Sequence, residues 1–363
     1  MNMMNMIERN GLGEARMSER VNGRSLLLRA LAALALLCWQ AAAVEAVRAQ
    51  TPGTGERAQT REAGARAATR DGVARAQARA QAQTTARAAR GHETVAFESR
   101  LVGAPLPYNV ILPRGYHEPG AKATRYPVLY LLHGLRGSAG DWVSDRARLA
   151  EHAAAYRLIL VVPEGRDGWY TDSATVPSDR FESYFIEELL PDVERRFRAL
   201  PGRGGRAVAG LSMGGYGALK FGLKYPERFA LAASMSGALR AAQWDPEGPL
   251  PEWVKPSIRS VYGPVGSPTR AANDIFRLAR ELPAAGVASL PFLYLDCGTE
   301  DFLIESNRDF SALLLERKIP HEYRQLPGAH SWPYWDRQAR EILRLAAERL
   351  APPAAPSPHS ARP

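Results

Sequence analysis

Residues 206–217 read Arg206-Ala207-Val208-Ala209-Gly210-Leu211-Ser212-Met213-Gly214-Gly215-Tyr216-Gly217 and pass into a helix-compatible stretch ending near Lys224. An apolar run, a glycine-rich turn and a helix follow one another within twenty residues. A serine at the apex of such a turn holds a strained backbone, and its neighbours must be small for the hydroxyl to project. The GxSxG pattern in this strand-turn-helix setting makes Ser212 a candidate nucleophile. The N–H of Met213, at the start of the helix, is then a candidate donor to an oxyanion formed by attack on a carbonyl.

On either side of this stretch, short apolar runs bounded by Gly and Pro alternate with longer amphipathic ones, the pattern of a parallel sheet with crossover helices. Strands are predicted at Val128 to Leu132, Leu158 to Val162, Arg206 to Gly210, Phe229 to Ser234, Pro291 to Leu295 and Glu322 to Leu326, preceded by an antiparallel hairpin of Val95 to Val102 with Tyr108 to Leu112. A helix is predicted from Ser178 to Phe197, with Ser178 as its cap and Phe181, Phe185, Leu189, Val193 and Phe197 on one face. Another is predicted from Tyr334 to Leu350. The fold class is therefore α/β: a mostly parallel central sheet with helices on both faces. The Pro-rich stretch 241–290 interrupts the rhythm and reads as a helical insertion.

A serine hydroxyl attacks only when an imidazole takes its proton, and the imidazole needs an acid to fix its tautomer. His330, after the last predicted strand, is the best-placed histidine downstream of Ser212. Asp301, in the loop after Asp296-Cys297-Gly298-Thr299-Glu300, is the preferred acid, with Asp296 in reserve. The turn His133-Gly134-Leu135-Arg136-Gly137 ends the strand Val128 to Leu132 and offers Leu135 N–H as a second oxyanion donor; His133 reads as structural. Cys297 has no adjacent histidine and reads as packing. This chemistry requires no metal and no cofactor. Trp142, Trp169, Tyr170 and Trp332 are candidates to line the alcohol side of a substrate site, since aromatic faces suit sugars and phenols.

The whole chain carries a formal charge of +9 over 363 residues, but residues 1–92 hold 14 Lys and Arg against 7 Asp and Glu. The remainder is close to neutral, which gives no reason to expect a nucleic-acid partner. Two cysteines, Cys38 and Cys297, exclude a disulfide scaffold and a CxxC zinc site. Arg16, Arg20, Arg24 and Arg29 precede the apolar run Ala30 to Trp39 and then small residues, the pattern of a secretory signal. That run falls short of the roughly 20 residues of a spanning helix, so a retained anchor facing outside the cytoplasm is the secondary reading. The expected organisation is an export segment over 1–49, an Ala/Arg-rich disordered tether over 50–92, a catalytic domain over 93–350 and a disordered tail over 351–363. Membrane association is expected only through the N-terminal segment.

Five blocks in order resemble the esterase D family of α/β-hydrolases, most of all its tributyrin-esterase branch, with feruloyl and acetylxylan esterases, S-formylglutathione hydrolases and mycolyltransferases as kin. They are Leu131-Leu132-His133-Gly134, Gly168-Trp169-Tyr170-Thr171-Asp172, Gly210 to Leu219 with Lys224-Tyr225-Pro226, Cys297 to Leu303, and His330-Ser331-Trp332 with Tyr334-Trp335. The resemblance implies an α/β-hydrolase fold, Ser212, Asp301 and His330 as the triad, and Leu135 and Met213 as oxyanion donors. It implies a serine carboxylesterase acting on short-chain acyl esters, acylated carbohydrates among them, and the export pattern makes a secreted or periplasmic one the expectation. The alternatives are an acyltransferase to a sugar or lipid alcohol, which shares every motif, and a non-catalytic surface-binding protein.

Overall fold

The computed structural model describes residues 91–354; the expected export segment, nearly all of the expected tether and residues 355–363 lie outside them. Among the described residues, ten strands form an eight-stranded sheet in the order β1-β4-β6-β5-β7-β8-β9-β10 and a separate two-stranded pair, β2-β3. They are β1 Glu93–Val95, β2 Glu98–Ser99, β3 Ala104–Pro105, β4 Tyr108–Ile111, β5 Val128–Leu132, β6 Ile159–Pro163, β7 Arg206–Leu211, β8 Leu231–Met235, β9 Phe292–Gly298 and β10 His321–Leu326. From β6 to β10 the sheet is parallel; β4 joins it antiparallel to β6, and β1 antiparallel to β4. The expected hairpin is thus split. Glu93–Val95 pairs with Tyr108–Ile111, while β2 and β3 turn aside through Ser99, whose hydroxyl accepts from Val102 N–H and donates to Glu188.

Both faces of the sheet are covered, as the unbroken apolar strands require. In β5, Val128, Tyr130 and Leu132 point into the core on one face, and Leu129 and Leu131 into the core on the other. Burying each such aliphatic side chain is worth about 1.5–3 kcal/mol, so both faces of the strand hold it in the sheet. The helices are α1 Leu149–Ala153, α2 (residues 181–196), α3 Met213–Lys224, α4 Lys255–Tyr262, α5 Pro268–Asn273, α6 Ile275–Glu281, α7 Ala284–Val287, α8 Ile304–Glu316 and α9 Trp332–Arg349. The middle of α2, Tyr184–Leu189, is π-helical.

The start of α2 corrects the sequence reading. Ser178 does not cap it; the Asp172 carboxylate accepts from the N–H groups of Glu182 and Ser183 at 3.0 and 2.9 Å, so the cap comes from earlier in the same connection and the helix begins at Phe181. Stretch 241–290 holds α4 to α7 between β8 and β9. It is stapled by Arg270, whose guanidinium donates to the carbonyls of Ala242, Trp244 and Gly263. Past Leu350 the chain is still paired, with Ala351 N–H on Gly204 O and Ala354 bridged to Arg125.

Candidate active site

The C-terminal ends of β5, β7, β9 and β10 each pass into a loop that carries one of the expected groups, as strand ends do in parallel sheets. At the end of β7, Ser212 has φ 54° and ψ −116°, a backbone that costs a non-glycine residue about 1–3 kcal/mol. Three hydrogen bonds hold it there: Ser212 N–H to Met235 O, and Ala238 and Tyr216 N–H to Ser212 O. The turn fits because Gly214 lies against β5. A Cβ on Gly214 would fall 2.5 Å from Leu132 O and 2.7 Å from His133 O.

Asp301, His330 and Ser212 meet in one hydrogen-bonded chain although 118 residues separate the last two. His330 Nε2 lies 3.0 Å from Ser212 Oγ, and His330 Nδ1 lies 2.9 Å from Asp301 Oδ2. The other oxygen of Asp301 accepts from Leu303 N–H at 2.9 Å, which fixes the enclosed carboxylate without a second charge. An acceptor on Nδ1 places a proton there and leaves the Nε2 lone pair facing the serine hydroxyl. Asp296 does not touch this chain: its carboxyl takes the Tyr334 hydroxyl instead.

The loop after β5 runs directly beneath the serine. A Cβ on Gly134 would stand 2.7 Å from Leu211 Cδ1 and 3.4 Å from Ser212 Cβ. Buried His133 braces the loop by accepting Gly165 N–H on Nε2 at 2.9 Å and donating Nδ1–H to Gly134 O at 2.8 Å. Met213 N–H opens α3 and Leu135 N–H belongs to the loop; neither has a hydrogen-bond partner among the described residues. Among those residues, no three His, Cys, Asp or Glu side chains stand together as a metal would need. Cys297 is buried, and burial pushes its thiol well above the ordinary range, which makes it unreactive.

Three of the four aromatic residues expected to line a substrate site are scaffold. Trp142 is fully enclosed with its Nε1–H on Leu132 O; Trp169 is enclosed with its Nε1–H on Ser257 Oγ; Tyr170 is enclosed with its hydroxyl on His133 O. Each has its polar tip satisfied inside, which leaves no face for a ligand. Trp332 keeps partial exposure but stacks edge-on to Trp142 and Trp335. The residues the sequence reading missed lie beside His330. The Phe302 ring sits 4.7 Å from the imidazole and Trp335 meets it edge-on at 4.9 Å, so the histidine is held between two aromatic side chains. The available signal was that Phe302 follows Asp301 directly and Trp335 stands five residues after His330. On the exposed side, the Arg136 guanidinium lies 5.7 Å over the ring of Trp253, reaching from the loop after β5 to the insertion.

Fold and site together define the class, an α/β-hydrolase whose strand ends bring a serine, a histidine and an aspartate into one hydrogen-bonded chain. The Esterase family model matches residues 99–345, and the chain belongs to that family. An esterase of Mycobacterium tuberculosis is 34% identical over 252 residues, which cover 64% of this chain and 54% of that protein; the chain thus spans about half the length of this relative. An acetyl esterase of Caldicellulosiruptor saccharolyticus is 32% identical over 216 residues, covering 58% and 79%. Among solved structures, a ferulic acid esterase superposes with a TM-score of 0.61 at 26% identity, over 71% of this chain and 98% of that one.

Proposed function

We propose that this chain is a serine carboxylesterase that hydrolyses short-chain acyl esters, acylated carbohydrates among them, through an acyl-enzyme intermediate. The observation that carries the reading is the unbroken Asp301, His330, Ser212 chain at 2.9 and 3.0 Å on a strained turn. Ser212 Oγ attacks the ester carbonyl as His330 Nε2 takes its proton, and Asp301 holds the resulting imidazolium. The tetrahedral oxyanion is met by Leu135 and Met213 N–H, each donor worth about 2.7–4 kcal/mol of transition-state stabilisation. The alcohol leaves with the proton from His330. Water, deprotonated by the same imidazole, then releases the acid and restores Ser212. The relative named as an acetyl esterase supports a short acyl group.

The Arg-led apolar segment before residue 50 supports export, with residues 50–92 as a tether and residues 93–350 as the catalytic domain. N-terminal analysis of the exported protein tests this, and an N-terminus retained at Met1 or Met17 replaces a cleaved signal with an anchor. The catalytic reading is tested by hydrolysis of p-nitrophenyl acetate, butyrate and octanoate, with and without added sugar alcohols, for the wild type and Ser212→Ala. Serine-dependent release favouring the short esters supports the esterase. Transfer to the added alcohol in preference to water replaces it with an acyltransferase, and full turnover by folded Ser212→Ala ends the assignment.

A further inference from the structure

Asp296, two residues from the end of β9, is wholly enclosed and is not the acid that holds His330. Its Oδ1 accepts the Tyr334 hydroxyl at 2.9 Å, and its Oδ2 has no hydrogen-bond partner among the described residues. Tyr334 is the third residue of α9. Its ring lies against Gly328, where a Cβ would meet Tyr334 Cδ2 at 2.5 Å, and the next residue, Trp335, is the edge that contacts the imidazole. The loops carrying Asp301 and His330 are zipped together by Thr299 N–H on Leu326 O and Glu300 N–H on Gly328 O. On its other side, Asp296 O accepts Ser236 N–H at 2.8 Å, one residue past Met235, whose carbonyl accepts Ser212 N–H. Residue 296 thereby joins by its backbone the segment that holds the serine, and by its side chain the segment that holds the histidine.

We propose that Asp296, acting through Tyr334, is a positioning residue that sets the His330 loop against the Ser212 turn. The inference rests on the reading of Ser212 and His330 as the reacting pair. The groups facing the carboxyl are Tyr294 on β9, Arg324 on β10, and Tyr334 and Glu341 on α9, with Cys297 and Tyr323 on the opposite face of the sheet. Burial raises Asp296 to about 8, against the smaller opposing effect of the Tyr334 hydroxyl. At neutral pH it is a neutral acid that needs no counter-charge. Raising the pH through about 8 creates an enclosed anion whose facing cation, Arg324, already pairs with Glu322 and Glu341. Relief requires water to reach the carboxylate, which displaces Tyr334 and with it the His330 loop.

The test uses the full chain and p-nitrophenyl acetate, with kcat and KM followed from roughly pH 6 to 10 for wild type, Asp296→Ala, Asp296→Asn, Tyr334→Phe and Ser212→Ala. Loss of the clamp in Asp296→Ala and Tyr334→Phe lowers kcat by about 10- to 100-fold at neutral pH with KM little changed, the cost of a misplaced imidazole. Asp296→Asn keeps the acceptor for Tyr334, rescues most of that loss, and removes an alkaline decline that the wild type shows with a midpoint near 8. Wild-type kcat and pH profile in both Asp296→Asn and Tyr334→Phe, with Ser212→Ala inactive, overturn the inference and leave the esterase reading standing. Full activity in Ser212→Ala overturns both. If Asp296→Ala does not fold, Asp296→Asn and Tyr334→Phe still decide the matter.

Discussion

Lys220 Nζ and the Glu182 carboxylate meet at 2.7 Å with the lysine wholly enclosed, about two turns into the helix that begins just after Ser212. Lys220 also donates to Tyr170 O and Thr171 Oγ1, while Glu182 takes Lys224 and the Tyr225 hydroxyl. The pair ties α3 to α2 and to the loop Gly168 to Asp172. It gives a physical role to two of the sequence blocks, Gly168-Trp169-Tyr170-Thr171-Asp172 and Lys224-Tyr225-Pro226, that the chemistry of ester cleavage leaves unused.

Glu182→Gln strips the enclosed Lys220 of its counter-charge and should cost about 3–5 kcal/mol in urea unfolding, while Lys220→Met, which leaves Glu182 paired with Lys224, should cost less. The double variant Lys220→Met with Glu182→Leu should recover much of this. Burial alone would raise Glu182, but Lys220 and Lys224 outweigh it and hold the acid at about 2. Its stabilisation is therefore complete above the unfolded value near 4.5 and is lost as pH falls towards 2. Equal stability of either single variant and the wild type at neutral pH would refute the account.

Gly214→Ala should cripple turnover more than folding. The added methyl would meet Leu132 O at 2.5 Å and His133 O at 2.7 Å, backbone atoms of the strand and loop that place Leu135 N–H. Overpacking of this kind costs about 1–3 kcal/mol of stability, which a domain of this size survives. The separation of α3 from β5 spreads the two donor N–H groups, so kcat should drop by about 10²-fold or more. A variant with wild-type kcat would show that the spacing of loop and turn does not matter.

Asp301→Asn should lower kcat by about 10⁴-fold with the fold intact, because an amide facing Nδ1 permits the tautomer with its proton on the wrong nitrogen. The far milder loss expected of Asp296→Asn makes the two substitutions a direct comparison of the two acids. A small effect at Asp301 and a large one at Asp296 would reverse their roles.

How much of this was legible in the sequence follows from how local each cause is. The turn at Ser212 is written in consecutive residues, since small neighbours are a condition of its geometry, and His330 follows from the order of strands. The sheet was readable because enclosed parallel strands are continuously apolar. The cap of α2 was not, because Asp172 folds back onto Glu182 and Ser183 from ten residues earlier in the same connection while Ser178, nearer in sequence, had the right chemistry in the wrong place. Trp142, Trp169 and Tyr170 misled for a related reason. A ring with a polar tip suits either a ligand or a buried carbonyl, and only the fold shows that Leu132 O, Ser257 Oγ and His133 O were waiting for them.

The enclosed acid at Asp296 also predicts a stability that depends on pH in the sense opposite to Glu182. Its folded value is raised from 3.8 to about 8, so between those limits the unfolded chain releases a proton that the folded chain keeps. Stability from this group is complete below about 4, falls as pH rises to about 8, and is level above it. The slope is at most about 1.4 kcal/mol per pH unit, the free energy of one proton. Asn at this position cannot titrate, so the unfolding free energy of Asp296→Asn minus that of the wild type should climb between pH 5 and pH 8 and then stop climbing. The difference cancels every other titrating group, Glu182 included, provided the variant leaves their surroundings alone. Urea unfolding of both proteins at matched pH gives it directly. A difference that stays constant across this range would mean that Asp296 ionises alike in the folded and unfolded chain, and the protonated clamp on Tyr334 would have to be abandoned.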